Sequence, residues 1–95
     1  MGQVETEAII LRTYNLSEAD KIVVCLTHSN GVVRAVARGA RKLKSRFGAG
    51  LEPFTLVQAS YYEKENRELV SLKRAEIQKS YFHLAANEQV VQALA

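Results

Sequence analysis

Short apolar runs separated by turn signals constrain the fold of this chain more than any other feature. The runs are rich in β-branched residues, which suit a pleated strand better than a helix. Asn30-Gly31 lies between two of them, and Asn-Gly in this setting is the strongest short-range signal for a β-hairpin, because both residues tolerate positive φ. The pattern predicts an all-β protein assembled from local hairpins.

Five strands are predicted, at residues 6–14, 21–28, 32–38, 55–63 and 69–78. Ser17-x-x-Asp20 also fits a helix capping box, but the apolar run after it is short and β-branched, which favours a strand. Residues 63–68 are charged and predict a hairpin tip, and the glycine-rich segment 39–50 predicts a connection. Five short strands fit a small closed barrel, since closure leaves few exposed strand edges.

The periodicity changes after Ser80, a residue type that favours a helix N-cap. Apolar residues then recur with a period near 3.6, which predicts an amphipathic helix. No glycine, proline or basic last turn ends this helix before Ala95. We therefore expect a barrel domain over residues 1–79 and the start of a truncated helical domain over residues 80–95.

The charge is concentrated in one segment of the sequence. The whole chain has 95 residues and a formal net charge of +3. Residues 31–51 contain no acid, so their six basic residues leave the remainder of the chain at −3. The six are Arg34, Arg38, Arg41, Lys42, Lys44 and Arg46. A basic stretch on a slightly acidic body is the electrostatic pattern expected of a nucleic-acid-binding protein.

Two interpretations of this basic segment are open: it could bind phosphates, or it could be a solvated loop that only aids solubility. Surfaces that aid solubility usually mix charges of both signs, which favours phosphate binding. Arginine also outnumbers lysine by four to two, and its planar guanidinium suits phosphate better. Arg34 and Arg38 have the same parity in one strand and share a face with Val32 and Val36. The other face, with Val33, Ala35 and Ala37, suits a packed interior.

Aromatic residues could add base stacking to these phosphate contacts. Phe47 follows Arg46 directly and is the strongest candidate, although it could equally be a core residue that closes the connection. Tyr61 and Tyr62 are neighbours in a predicted strand, so one points inward and the other outward. The predicted nucleic-acid-binding set is therefore the six basic residues and Phe47.

The sequence offers no catalytic or metal-binding constellation. His28 and His83 are far apart, and no His/Cys/Asp grouping has metal-ligand spacing. No phosphate-binding P-loop or nucleophile motif is present. The single cysteine, Cys25, lies in an apolar run and is expected to be a buried, inert thiol. We expect no enzyme activity, no cofactor and no metal, and no apolar run reaches the length of a membrane span.

Three segments, in order, resemble the RecO family of bacterial recombinational repair proteins. The first is Thr6–Arg12 followed by Ser17–Val23, and the second is Gly31–Arg34 running into Ala37–Arg41. The third is Lys44–Gly48 running into Leu51–Phe54. The match is specific over roughly residues 6–54 and looser to about residue 78.

The resemblance implies an OB-fold, and binding of single- and double-stranded DNA. It also implies strand annealing, recombinase loading, a cytoplasmic, nucleoid-associated location, and RecR and single-stranded-DNA-binding protein as partners. Members continue into a helical domain, which in some carries a four-cysteine zinc site that this chain lacks. Two alternatives stay open from the residues: an RNA-binding OB-fold, and a protein-interaction module whose basic loop binds an acidic partner.

Overall fold

The computed structural model describes residues 2–64 and 68–80 and is built almost entirely from strands. The five strands are β1 (Gly2–Asn15), β2 (Lys21–Thr27), β3 (Gly31–Ala37), β4 (Thr55–Glu63) and β5 (Leu69–Ser80). A single 3₁₀ turn, Gly48–Leu51, lies between β3 and β4. The predicted all-β class and the number of strands are confirmed.

The strands close into a ring in the order β1-β2-β3-β5-β4, with β4 paired back onto β1. Four of the five pairings are antiparallel, and β3 pairs with β5 in parallel over the short stretch Arg34–Val36. A parallel pair requires a long crossover between its strands. The first part of this crossover is the segment between β3 and β4, residues 38–54, which we call the crossover segment. The ring therefore holds both ends of that segment in fixed positions.

The predicted hairpin at Asn30-Gly31 is confirmed, with a loop of three residues. Thr27 pairs with Gly31, whose φ is 66°. The Thr27 hydroxyl donates a hydrogen bond to the Gly31 carbonyl at 2.8 Å and accepts one from the Asn30 amide at 2.9 Å. Of the residues in this turn, only Gly31 takes positive φ, so the turn depends on glycine at this position.

The core fills the inside of the ring with alternate residues from all five strands. Ala35 and Ala37 of β3 are fully buried, as their parity predicts. Phe47 and Leu51, from the segment between β3 and β4, belong to the same cluster. The other members are Ala8, Ile10, Val23, Cys25, Val57, Ala59, Tyr61, Val70 and Leu72. The crossover segment is thus fixed by its own apolar side chains.

Two strand limits differ from the predictions by two residues or more, and four others differ by one residue. β1 begins at Gly2, four residues earlier than predicted, because its largely polar first residues pair with β4. Val4, for example, lies opposite Tyr61. β5 extends to Ser80, which pairs with Thr55. Ser80, predicted as a helix N-cap, is therefore the last residue of a strand. The predicted helix beyond it lies outside the described residues.

Candidate nucleic-acid interface

The base of the basic segment is tied to the loop between β1 and β2. The Gly39 amide donates a hydrogen bond to Oδ1 of Asp20 at 2.7 Å, and the Arg41 amide donates one to the Ala19 carbonyl at 3.0 Å. The Arg41 guanidinium also donates to the Ser17 carbonyl at 2.6 Å. Gly39 has a φ of 75°, a conformation that favours glycine. These contacts fix where the chain leaves β3.

Asp20 is the acceptor that organises this junction. The hydrogen bond from Gly39 is the main reason that its pKa lies below the usual value, with a hydrogen bond from Ser17 and the charges of Arg38 and Lys42 acting in the same direction. The carboxylate is therefore ionised at neutral pH. The capping-box pattern assigned Asp20 to a helix start, but its actual partner is a backbone amide nineteen residues away.

All six predicted basic residues are exposed, and we call them the basic surface: Arg34, Arg38, Arg41, Lys42, Lys44 and Arg46. Among residues 2–64 and 68–80, none of the six forms an ion pair with a carboxylate within 4 Å. Leu43, between the two lysines, is fully exposed. The guanidinium of Arg34 donates a hydrogen bond to the Tyr14 hydroxyl, which raises the pKa of Arg34.

Phe47 has a position different from that of the other predicted contacts. Its side chain is only 4% exposed and belongs to the core cluster. The Arg46 guanidinium lies 5.1 Å from the centre of its ring, in a cation–π contact. Because the ring is packed inside, it offers no face for a base to stack on, and the core interpretation is favoured. We therefore leave Phe47 out of the surface proposed below.

The two neighbouring tyrosines differ in burial, which shows which of them points inward. Tyr61 is 1% exposed and points into the ring, where its hydroxyl accepts a hydrogen bond from the Asn30 side chain. Tyr62 is 38% exposed and lines an open groove of about 540 Å³ with Arg38, Lys64 and Lys73. Strand parity predicted that one ring would be outward, but Arg38 and Lys73 beside it come from other parts of the sequence.

Comparison with known proteins identifies the family of this chain. The model of the family described as "Recombination protein O N terminal" matches residues 1–81. The chain belongs to the RecO family. The resemblance found in the three sequence segments is therefore confirmed, and the family is one of DNA repair and recombination proteins.

Curated RecO relatives support the same assignment over a limited length. The chain is 52% identical over 65 residues to the DNA repair protein RecO of a Nocardioides species, covering 68% of this chain and 27% of the relative. It is 50% identical over 64 residues to that of Streptomyces coelicolor, covering 67% and 26%. For Bifidobacterium animalis the identity is 47% over 81 residues, covering 85% and 33%. The chain thus spans about a quarter to a third of these relatives.

The described part of this RecO-family chain contains no group of three or more His, Cys, Asp or Glu side chains placed to hold a metal ion. Cys25 is buried, with its thiol 3.7 Å from the Val33 carbonyl, and burial raises its pKa to about 11. The expected buried thiol is confirmed. In the same part of the chain, no helix is long and apolar enough to cross a membrane.

Proposed function

We propose that this RecO-family domain is an OB-fold barrel that binds DNA through the basic surface, as the N-terminal module of a recombinational repair mediator. The observation that carries the proposal is the exposure of six cations within residues 31–51, a segment without a single acid. Each phosphate neutralised by such a cation releases counterions, so contacts of this kind accumulate into affinity for any nucleic-acid sequence.

The strand order supports the OB-fold assignment. The OB-fold is a five-stranded barrel with a Greek-key strand order, as in this ring, and it binds oligonucleotides on one outer face and on the adjacent loops. Here the basic surface runs from the outer face of β3 into the crossover segment. The hydrogen bonds of Gly39 and Arg41 hold that segment against the loop between β1 and β2, so its cations are presented on a fixed base.

The wider activities of the proposal depend on family membership. We propose strand annealing and recombinase loading as functions of the full-length protein, with RecR and single-stranded-DNA-binding protein as partners and the cytoplasm as location. Neutralising the charge of two DNA strands is the contribution to annealing that this domain's own residues can make. We propose no catalytic step for it.

The proposal is tested by neutralising Lys42 and Lys44, whose side chains are exposed and carry two of the six charges. Lys42→Gln/Lys44→Gln should weaken DNA binding for every sequence, and should flatten the dependence of log affinity on log salt by up to about 1.8, because each duplex phosphate contact contributes about 0.9. Fluorescence anisotropy across a salt series measures both.

The control is Arg74→Gln/Lys79→Gln, which also removes two cations from exposed positions of β5 outside the basic surface, where Arg74 forms a surface ion pair with Glu76 at 3.7 Å. It should leave the salt slope within error of the unmodified chain. An equal loss in both double variants would mean that net charge, and not the basic surface, governs binding.

A second candidate function has one specific observation in its favour. Leu43 is 100% exposed between two lysines, an arrangement that would suit a partner protein with an acidic segment and an apolar contact. In that case an acidic peptide should displace DNA and should bind more tightly than DNA does. If DNA is not displaced, the acidic-partner function is rejected.

A further inference from the structure

The outer face of β3, β5 and β4 carries a groove that the sequence analysis did not predict. Val36 of β3 and Leu69 of β5 are partly buried, point away from the core and contribute apolar surface to it. Tyr62 of β4 lies in the same groove with 38% of its surface exposed. An exposed aromatic ring over apolar neighbours can stack with another planar group.

Cations line the same groove from three different elements. Arg38 follows β3, Lys64 follows β4, and Lys73 lies in β5. Ser60 pairs with Arg74 and Tyr61 with Leu72, so Lys73 is the extra residue of a β-bulge. Bulges occur next to binding sites, where they re-aim a side chain. Among the described residues that line the groove, these three cations outnumber the one acid, Glu68.

Resting on the proposed function, we infer that this groove binds an unpaired nucleotide of a DNA strand, with its base stacked on Tyr62 and its flanking phosphates on Lys64, Lys73 and Arg38. Stacking on aromatic rings is tolerant of sequence because every base has a π-face. In a duplex the base faces are already stacked on each other, so a paired nucleotide leaves none for Tyr62.

Arg38 belongs both to the groove and to the basic surface. Phosphate contacts on the basic surface do not depend on whether a strand is paired, whereas the Tyr62 stack does. The groove therefore gives this domain a preference for single strands that the charges alone cannot give.

The test compares Tyr62→Ala with Tyr62→Phe on an oligo-dT single strand and on a duplex of equal length, by fluorescence anisotropy at one salt concentration. Tyr62→Ala should weaken single-strand binding by roughly 5- to 150-fold, the range for one base stack. Its duplex binding should stay within about 2-fold, and Tyr62→Phe should keep both affinities. Thermal unfolding of both variants checks that the ring of strands remains intact.

The other outcomes separate the two proposals. If the unmodified chain binds DNA with steep salt dependence but Tyr62→Ala loses nothing, or loses equally for single strand and duplex, the groove inference is overturned and the basic surface stands. A loss in Tyr62→Phe equal to that in Tyr62→Ala would also overturn it, since the ring is kept. If the unmodified chain binds neither the single strand nor the duplex, the proposed function fails and the groove inference fails with it.

Discussion

Burial decides the role of individual residues in this domain more than residue type does. Phe47 follows an arginine in a basic segment, yet its ring is part of the core. Tyr61 and Tyr62 are chemically identical neighbours, but one is a core residue and the other lines a groove. Parity along β4 predicts that the tyrosines differ, and the apolar Val57 and Ala59 on the face of Tyr61 are the signal that Tyr61 is the inward ring.

Cys25 provides a prediction about chemical reactivity. Desolvation raises the pKa of its thiol to about 11, so the reactive thiolate is scarce at pH 8, and the side chain is only 2% exposed. We expect almost no reaction with a thiol reagent such as DTNB in the native protein, and rapid, complete reaction in denaturant. Fast labelling without denaturant would contradict the buried position of the thiol.

Gly50 is a second residue whose role depends on the space around it. A Cβ on Gly50 would lie 2.7 Å from the backbone carbonyl oxygen of Ala75 in β5, so the strand or the turn would have to move. Gly50→Ala should lower the free energy of unfolding by about 1–3 kcal/mol, a typical cost of overpacking. Urea denaturation measures this change.

The control for Gly50 is Gly48→Asn in the same turn. A Cβ at Gly48 meets no atom within 4 Å, and asparagine tolerates its φ of 52°. This variant should lose much less stability than Gly50→Ala. Equal losses would indicate that the turn is sensitive to any side chain, and that the approach to β5 is not the cause.

At the scale of elements, the crossover segment between β3 and β4 connects the fold with the proposed function. Phe47 and Leu51 anchor it inside the ring, and Asp20 anchors its start through the Gly39 amide. The cations between these two anchors are exposed. The segment can therefore present charge without disturbing the core.

The Asp20 anchor predicts a pH dependence. The bond from Gly39 holds the pKa of this carboxyl below its ordinary value, so the stabilisation is present above the pKa of an unfolded aspartate and is lost as pH falls through the lowered pKa. An NMR titration should give Asp20 a midpoint below that of an aspartate in an unstructured peptide, with the Gly39 amide shift changing at the same pH. In Asp20→Asn the Gly39 change should disappear. A midpoint at or above that of the peptide would contradict the anchor.

Sequence patterns predicted most of the elements because β-branched runs and turn residues act locally. Strand β4 has the predicted limits, and the predicted hairpin forms at Gly31, where the turn requires a residue with positive φ. The start of β1 was missed because Gln3 and Glu5 are polar, and their strand conformation comes from pairing with β4. The groove could not be predicted, since Arg38 joins Lys64 and Lys73 of the β4–β5 pair only through the parallel pairing of β3 and β5.

For the whole molecule, the distribution of charge matters more than its sum. A net charge of +3 is modest, but it results from a basic surface of six cations on a body that is otherwise at −3. Such asymmetry directs the basic surface toward a polyanion. The positions of the basic residues in the sequence predicted this asymmetry, and the structure adds that the six side chains are exposed.

DNA binding through the basic surface is tested by the affinity of the 95-residue chain for a short DNA oligonucleotide, measured by fluorescence anisotropy across a salt series. If the basic surface binds phosphates, log affinity should fall linearly with log salt, with a slope for duplex DNA no steeper than about −5.4, the value for six contacts. No binding at low salt, or binding that does not change with salt, would contradict the account.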